Sequence, residues 1–309
     1  MAARAELIAD RGESARSEEF FRSAQFYAAE GVTHTLAIAG PGSSARVPMI
    51  IRGIDGSSRT DATSPYGYPG GEVEGPPLDP EAVDWSATGL VSVFARERLA
   101  GSAWLGGARE RSTVLVHDPG RRRHLRRRLG EQIRANRRAG WVVEAAPGRD
   151  VTDADRAAFE RAYEETMRRA GAAPRYFFQS RYFRTVLGFE RAWLVVARSP
   201  AGDAGAGAIA ALSDGFLHYF LGGTADAHLD ASPFKNVVDG MVALAGELDA
   251  PLNLGGGVTP GDGLEGFKRG FANAERRFST HEVVCDPGEY ERLSAGRPAG
   301  EFFPRYRAG

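Results

Sequence analysis

Residues 253–271, NLGGGVTPGDGLEGFKRGF, join the end of an apolar run to a glycine loop and then to an amphipathic helix. The run Pro251-Leu252-Asn253-Leu254 reads as a short strand. Gly255, Gly256 and Gly257 follow it. Glycine accepts positive φ and lets another backbone or a ligand come close, so three glycines after a strand form a loop built for close approach. Asp262 stands where a helix N-cap is expected. Leu264, Phe267 and Phe271 are spaced three and four apart and share one helical face. Lys268 falls beside that face, toward its edge.

Lysine is scarce. Of 39 Lys plus Arg, only Lys235 and Lys268 are lysine. A compact ammonium can stand as a point charge against one developing oxyanion, which a planar guanidinium does poorly. The plain alternative is a solvated helix lysine.

At 309 residues the chain fits one large or two ordinary domains. With 42% hydrophobic and 26% charged residues it can bury a core. Its net charge of -1 supplies no global pull toward nucleic acid or membrane. The single cysteine, Cys285, excludes an intramolecular disulfide and a cysteine-rich zinc site, and suits a reducing cytoplasm. It reads as a buried structural thiol. The N-terminus is charged and lacks an apolar core, so no signal peptide is expected. No run approaches the ~18 apolar residues of a membrane helix. The six histidines, His34, His117, His124, His218, His228 and His281, are scattered without ligand spacing, and no metal is expected.

In chain order, residues 1–17 read as a frayed tail. Ser17 is expected to cap a helix to about residue 30. Strands are expected at 33–39 and 47–51, with Asp55-Gly56 as a turn. The Thr63 to Gly71 stretch is an aromatic and glycine loop. Its Tyr66 and Tyr68 offer flat faces and hydroxyls to a ligand, or simply pin an ordered surface loop. Further strands are expected at 90–96 and 112–116. Residues 121–138 hold nine arginines and His124. Leu125, Leu129 and Ile133 recur every four residues, which predicts an amphipathic helix with a basic outer surface. Such a helix can lie along a phosphate backbone through Arg121, Arg122, Arg126, Arg127 and Arg134, or remain a solvated face. A strand at 141–144 and a helix at 152–170 follow. The aromatic cluster Tyr176-Phe177-Phe178 and Tyr182-Phe183 reads as core packing. Strands at 193–197, 206–213 and 216–221, a helix at 233–248 and a strand at 280–285 complete the pattern. A short helix near 290–293 and an exposed tail end the chain. The order of elements repeats, which suggests two α+β lobes of similar plan.

Six motifs appear in an order that resembles the Fem-type branch of the Gcn5-related acyltransferase superfamily. They are the helix with Tyr163, Thr166, Met167 and Arg168; the aromatic pairs at 176–178 and 182–183; His218-Tyr219-Phe220-Leu221-Gly222-Gly223-Thr224; Ser232-Pro233; Asn253-Leu254-Gly255-Gly256-Gly257; and Phe267-Lys268-Arg269-Gly270-Phe271. The match covers the second half nearly end to end. In the first half it rests on the Ser64 to Gly70 loop and the strand at 90–96.

The resemblance implies an α+β protein of two tandem Gcn5-like lobes, each a mixed sheet with flanking helices, over residues 18–148 and 149–309. It implies an aminoacyltransferase that uses aminoacyl-tRNA as co-substrate and forms an amide on an acceptor amine, with no bound cofactor. Phe267-Lys268 matches the family's catalytic pair, and Lys268 is the implied stabiliser of the ester carbonyl's negative charge. Asp61, Tyr66, Tyr68 or a ribose hydroxyl could take the amine's proton. Tyr66, Tyr68, Tyr219, Thr224 and the loop of Gly255, Gly256 and Gly257 are the candidate substrate contacts.

Two features depart from the family. The first lobe has no lysine to hold a peptidoglycan precursor's diphosphate, and no long charged hairpin lies between the lobes. A small acceptor amine, in antibiotic or other specialised biosynthesis, is therefore expected. One rival is an acyl-CoA-dependent transferase. Arg98-Leu99-Ala100-Gly101-Ser102-Ala103 matches the letters of a pyrophosphate loop, but Trp104-Leu105-Gly106-Gly107 follows at once. The other rival is a non-catalytic RNA- or ligand-binding protein.

Overall fold

The structure is a computed structural model, and it describes residues 3–13, 15, 17–257, 259, 261–298 and 300–308. The strands are β1 (Ala3–Ala9), β2 (His34–Gly40), β3 (Ser43–Gly53), β4 (Thr60–Thr63), β5 (Glu72–Glu74), β6 (Val83–Asp84), β7 (Ser92–Arg96), β8 (Arg109–His117), β9 (Val142–Pro147), β10 (Ala192–Arg198), β11 (Ala204–Ser213), β12 (Phe216–Thr224), β13 (Leu252–Gly255) and β14 (Ala274–Val284). The α-helices are α1 (Ala24–Glu30), α2 (Arg127–Arg138), α3 (Asp153–Arg169), α4 (Ser180–Leu187), α5 (Phe234–Glu247), α6 (Gly263–Arg269) and α7 (Pro287–Ser294). Among the described residues no helix is long and apolar enough to cross a membrane.

The backbone divides into two compact units. One is Met1–Ser112 with Arg277–Gly309; the other is Thr113–Arg276. Residues 148 and 149, the expected boundary, both fall in the second unit. There β9 pairs with β10 from Val142 to Pro147, which ties the chain on either side of the boundary together.

The first unit carries the strand order β6-β1-β2-β3-β4-β7-β14, with β5 on β3. β1 with β6 and β4 with β7 are parallel pairs; the other neighbours run antiparallel, so the sheet is mixed. Its core holds Leu36, Ile38, Val47, Met49 and Trp104. Residues 3–9 are not a frayed tail. Ala3 and Ala5 are buried between the exposed Arg4 and Glu6, and this alternation fits a strand one face of which is covered. Ser17 is not the helix cap either. Its hydroxyl accepts from Glu19 N, whereas Ser23 caps α1 by accepting from Phe26 N at 3.1 Å. The expected exposed tail is also corrected: Tyr306 is buried, and Arg307 pairs with Asp61.

The second unit carries the order β8-β13-β12-β11-β10-β9, in which only β12 and β13 are parallel. Ala206 and Ala208 of β11 pack in one cluster with Val237, Val238 and Met241 of α5. Gly207, between them, faces Phe159 of α3. Successive strand residues point to opposite faces, so α5 and α3 cover opposite sides of this sheet. Thr152 caps α3 by accepting from Asp155 N at 3.1 Å. The aromatic cluster packs only in part: Phe178 stacks on Tyr182 at 4.1 Å, and Tyr182 and Phe183 are buried on α4, but Phe177 is exposed.

The arginine-rich stretch is helical only from Arg127; residues 121–126 lead into it without regular secondary structure. Asn136 fastens α2 down, donating to Asn236 Oδ1 at 2.8 Å and Ala231 O at 2.9 Å.

Candidate active site

The site is built where β12 and β13 part. They pair in parallel only at Leu217 with Leu252 and His218 with Asn253. Asn253 ends the pairing through its own side chain. Its Oδ1 accepts from Gly255 N at 2.9 Å, so that N–H is satisfied without a neighbouring strand. Its Nδ2 lies 3.0 Å from His218 Nδ1. Burial pushes His218 down to about 3, so the ring is neutral. Nδ1 then accepts from Asn253, and Nε2 donates to Ser213 O at 3.2 Å. Beyond this wedge a bulge against β11 shifts the register of β12 between Leu221 and Tyr219. Bulges re-aim side chains, and here Tyr219 turns into a cleft of about 310 Å³. The outer carboxyl ends of parallel strands are where open sheets accept ligands.

Thr166, Thr224, Lys235, Leu264 and Phe267 also line the cleft. Thr224 N donates to Thr166 Oγ1 at 2.9 Å, which fixes the end of β12 on α3. Phe267 stacks edge-on against Phe271 at 5.5 Å and lies 6.3 Å from Phe234. The helix face differs from the expected one: Leu264 is 40% exposed in the cleft wall, while Lys268 is only 8% exposed.

Lys268 is not a solvated lysine. Its Nζ donates to Gly256 O at 2.7 Å and lies 5.4 Å from the centroid of the Tyr219 ring. Burial lowers its ammonium to about 8, partly offset by Asp262. An ammonium has three donors, so one is held and two remain. Lys268 does not itself line the cleft; Tyr219 and Phe267, on either side of it, do.

The glycine loop makes this burial possible. Gly255 has φ +74°, and a Cβ there would stand 3.3 Å from Lys268 Nζ. At Gly257 a Cβ would meet Asp262 Oδ1 at 2.5 Å. Asp262 is thus free to cap α6, accepting from Glu265 N at 2.7 Å and from Thr259 N at 3.0 Å. Val258 and Pro260, in the same stretch, lie outside the described residues.

The structure therefore gathers Phe267, Lys268, Tyr219, Thr224 and Gly255 to Gly257 in the second unit. Asp61, in the first unit, is fully buried and accepts from Arg52 Nε at 2.9 Å, Arg307 Nε at 2.6 Å and Tyr306 OH at 3.0 Å. Both of its oxygens are thus engaged by partners within this unit. Tyr66 and Tyr68 also belong to the first unit. Tyr66 is exposed, with Arg96 5.9 Å from its ring centroid; Tyr68 packs between Phe21 and Phe278. Arg98 to Ala103 opens no α-helix before β8.

The arginines divide. Arg121 pairs with Asp118 and Arg127 with Glu131, while Arg123 and Arg137 both hold Asp239. Arg122, Arg126 and Arg134 are exposed and form no ion pair among the described residues. Lys235, Thr166 and the His218–Asn253 wedge had no assigned role in the sequence. The rarity of lysine was the one signal that singled out Lys235. Among the described residues no cluster of His, Cys, Asp or Glu could hold a metal ion.

No family model and no curated protein matches the sequence. Solved structures do match the fold. FemX is similar over 84% of this chain and 89% of its own, with 11% identity and a TM-score of 0.57. The C-terminal domain of a lysylphosphatidylglycerol synthetase from Agrobacterium fabrum covers 89% of both chains, with 13% identity and a TM-score of 0.53. L-PGS from Bacillus licheniformis covers 85% of this chain and 87% of its own, with 11% identity and a TM-score of 0.51. The likeness is one of fold, which this chain shares with FemX and with these two proteins.

Proposed function

We propose that this Fem-like chain is an acyltransferase that moves an amino acid from aminoacyl-tRNA onto a small acceptor amine. The observation that carries this reading is Lys268: a buried ammonium with one N–H held by Gly256 O and two without a hydrogen-bond partner among the described residues, next to a cleft at parted parallel strands. One like structure is named a lysylphosphatidylglycerol synthetase, and a lysyl group is an aminoacyl group. In the proposed reaction the acceptor nitrogen attacks the ester carbonyl carbon, and the electron pair moves to the carbonyl oxygen. Lys268 donates to that oxygen. The attack forms the C–N bond; collapse then re-forms the carbonyl and breaks the ester C–O bond, and the ribose oxygen leaves with the proton the amine loses. One donor at a developing oxyanion supplies about 3–4 kcal/mol. The acceptor is proposed to be a metabolite of specialised biosynthesis, and the location, following the donor, the cytoplasm.

An acyl-CoA donor is the second reading, favoured by an α5 first turn that carries no acidic residue beside the cleft. Donor choice is tested by incubating the protein with labelled aminoacyl-tRNAs, and separately with labelled acetyl-CoA, each with a panel of amines. Label entering an amide from tRNA, and abolished by ribonuclease, is the expected result. Transfer from acetyl-CoA alone would replace the tRNA reading.

The unpaired arginines are the proposed contacts to the tRNA backbone. Changing Arg122, Arg126 and Arg134 together to Gln should weaken tRNA binding and reduce the slope of log K against log salt by roughly two. An unchanged slope would leave them a solvated surface.

A further inference from the structure

The cleft beside Lys268 has walls that the transfer chemistry above does not account for. Three aromatic rings form one side, and they touch in series. The Phe234 ring lies 5.6 Å from Tyr219 and 6.3 Å from Phe267. Gly222 makes room for this packing: a Cβ there would come 2.7 Å from Phe234 Cζ and 2.8 Å from the Tyr219 ring. Leu229 and Leu264 add aliphatic carbon to the same cleft and are 41% and 40% exposed. Leu229 is fixed by its own turn. Its carbonyl accepts from Ser232 N at 2.9 Å and from Ser232 Oγ at 3.1 Å, and Ser232 takes the left-handed conformation at φ +47° to close the turn. A strained residue of this kind persists where its surroundings over-determine it, and such residues cluster at ligand clamps.

The polar part of the lining offers little to a charged guest. The Thr166 hydroxyl donates to Ala162 O at 2.8 Å, and that of Ser232 is spent on Leu229 O. Among the described residues no Asp or Glu lines the cleft, and Lys235 is its one charge. A cationic group entering here would lose water and gain no carboxylate. A carboxylate would find the Lys235 ammonium but would give up its water against three rings and two leucines. An apolar group would gain twice, because its own carbons and those of Leu229 and Leu264 leave water together.

We propose that this cleft selects a donor whose acyl group carries a bulky apolar chain, of the size of a leucyl or phenylalanyl side chain. This deepens the transferase reading and rests on it. With Lys268 at the carbonyl oxygen, the carbons attached to that carbonyl fall beside Tyr219 and Phe267, and the chain continues toward Leu229 and Leu264. The cleft, of about 310 Å³, has room for it. An aminoacyl ester of tRNA and a thioester of coenzyme A can both present such a chain.

The test is calorimetric binding of stable amides of 3′-amino-3′-deoxyadenosine. Four carry leucyl, alanyl, lysyl or glutamyl groups; two carry 4-methylpentanoyl or propanoyl, which are the leucyl and alanyl groups without their ammonium. Each is titrated into the wild type, Leu229→Ala and Leu264→Asp. In each pair the larger apolar group should bind the wild type at least tenfold more tightly than the smaller, as apolar pockets discriminate by chain length. Lysyl and glutamyl should bind no better than alanyl. Leu229 is partly exposed, so Leu229→Ala should fold, and it should lose most of the preference. Leu264→Asp should weaken leucyl and tighten lysyl about tenfold, through a charge-assisted hydrogen bond. Preference in both pairs identifies the aminoacyl ester as the source of the chain; preference confined to the pair without ammonium identifies the thioester.

The selection is overturned if neither pair shows a preference, if lysyl or glutamyl binds the wild type most tightly, or if Leu229→Ala keeps the full preference. The two readings fail separately. Probes that bind as expected, while neither leucyl-tRNA nor an acyl-CoA yields an amide, leave the selection standing without the transfer. Amide formed as readily from alanyl- or lysyl-tRNA as from leucyl-tRNA leaves the transfer standing without the selection.

Discussion

Replacing Lys268 with Met is expected to cut turnover by 10²–10³ without lowering the stability of the fold, on the order of one lost oxyanion donor. The two effects have one cause. Lys268 is 8% exposed, and burial holds its ammonium at about 8, well under the usual lysine value. The unfolded chain therefore holds this proton more tightly than the native chain does. At neutral pH the charged form weighs against folding by on the order of 3 kcal/mol, and the penalty fades as pH rises from about 8 to about 10.5. Methionine removes the penalty, though it also gives up the hydrogen bond to Gly256 O. The melting temperature at pH 7 should thus stay level or rise while turnover collapses. Wild-type activity should also fall on the alkaline side, near pH 8, as Lys268 loses its charge. A Met variant with near-normal turnover would take Lys268 out of the chemistry. One that simply unfolds would mean the ammonium holds the glycine loop together.

Replacing Asp61 with Asn is expected to do the reverse, lowering stability and sparing turnover in the molecules that remain folded. Asp61 is 0% exposed and accepts from two arginines and a tyrosine. Removing one partner of a buried pair costs about 3–5 kcal/mol. Arg52 and Arg307 are partly exposed, so water can take up some of the loss, and ~3 kcal/mol is the expected size. That corresponds to a fall on the order of 10 °C in melting temperature. Residues 305–307, which reach Asp61 through Tyr306 and Arg307, should become open to proteolysis. A Tyr306→Phe variant should show a milder form of the same effect. If Asp61→Asn instead kept its melting temperature and lost turnover, Asp61 would be a proton acceptor after all.

Sequence periodicity located the elements whose burial is strongly patterned. The helix expected at 152–170 is α3 (Asp153–Arg169), and the one expected at 233–248 is α5 (Phe234–Glu247). Both present large apolar side chains every three or four residues. β1 was missed because its inward residues are Ala3 and Ala5, which carry little hydrophobic signal and weak strand preference. α4 is not evident from the sequence because its aromatics continue the run at 176–178 and mask the helical spacing of Tyr182, Phe183, Val186 and Leu187. At the site, the glycines, the scarce lysine and the Asp262 cap were legible. That Lys268 and not Leu264 would be buried was not. It depends on Gly256 and, nearly 50 residues away, on Tyr219 and the bulge in β12, and no local pattern carries that distance.

The first unit is assembled from both ends of the chain, and the second from the uninterrupted stretch between them. On the ribosome this inverts the usual order of events. The amino-terminal sheet emerges first but must wait for β14, the partner of β7, and for Arg307, which pairs with Asp61. The central unit, with its cleft and Lys268, has every residue it needs by Arg276 and can close while the earlier half is still incomplete. A nascent chain stalled near that point would carry a finished cleft beside an unfinished sheet whose buried aspartate still lacks one of its two arginines.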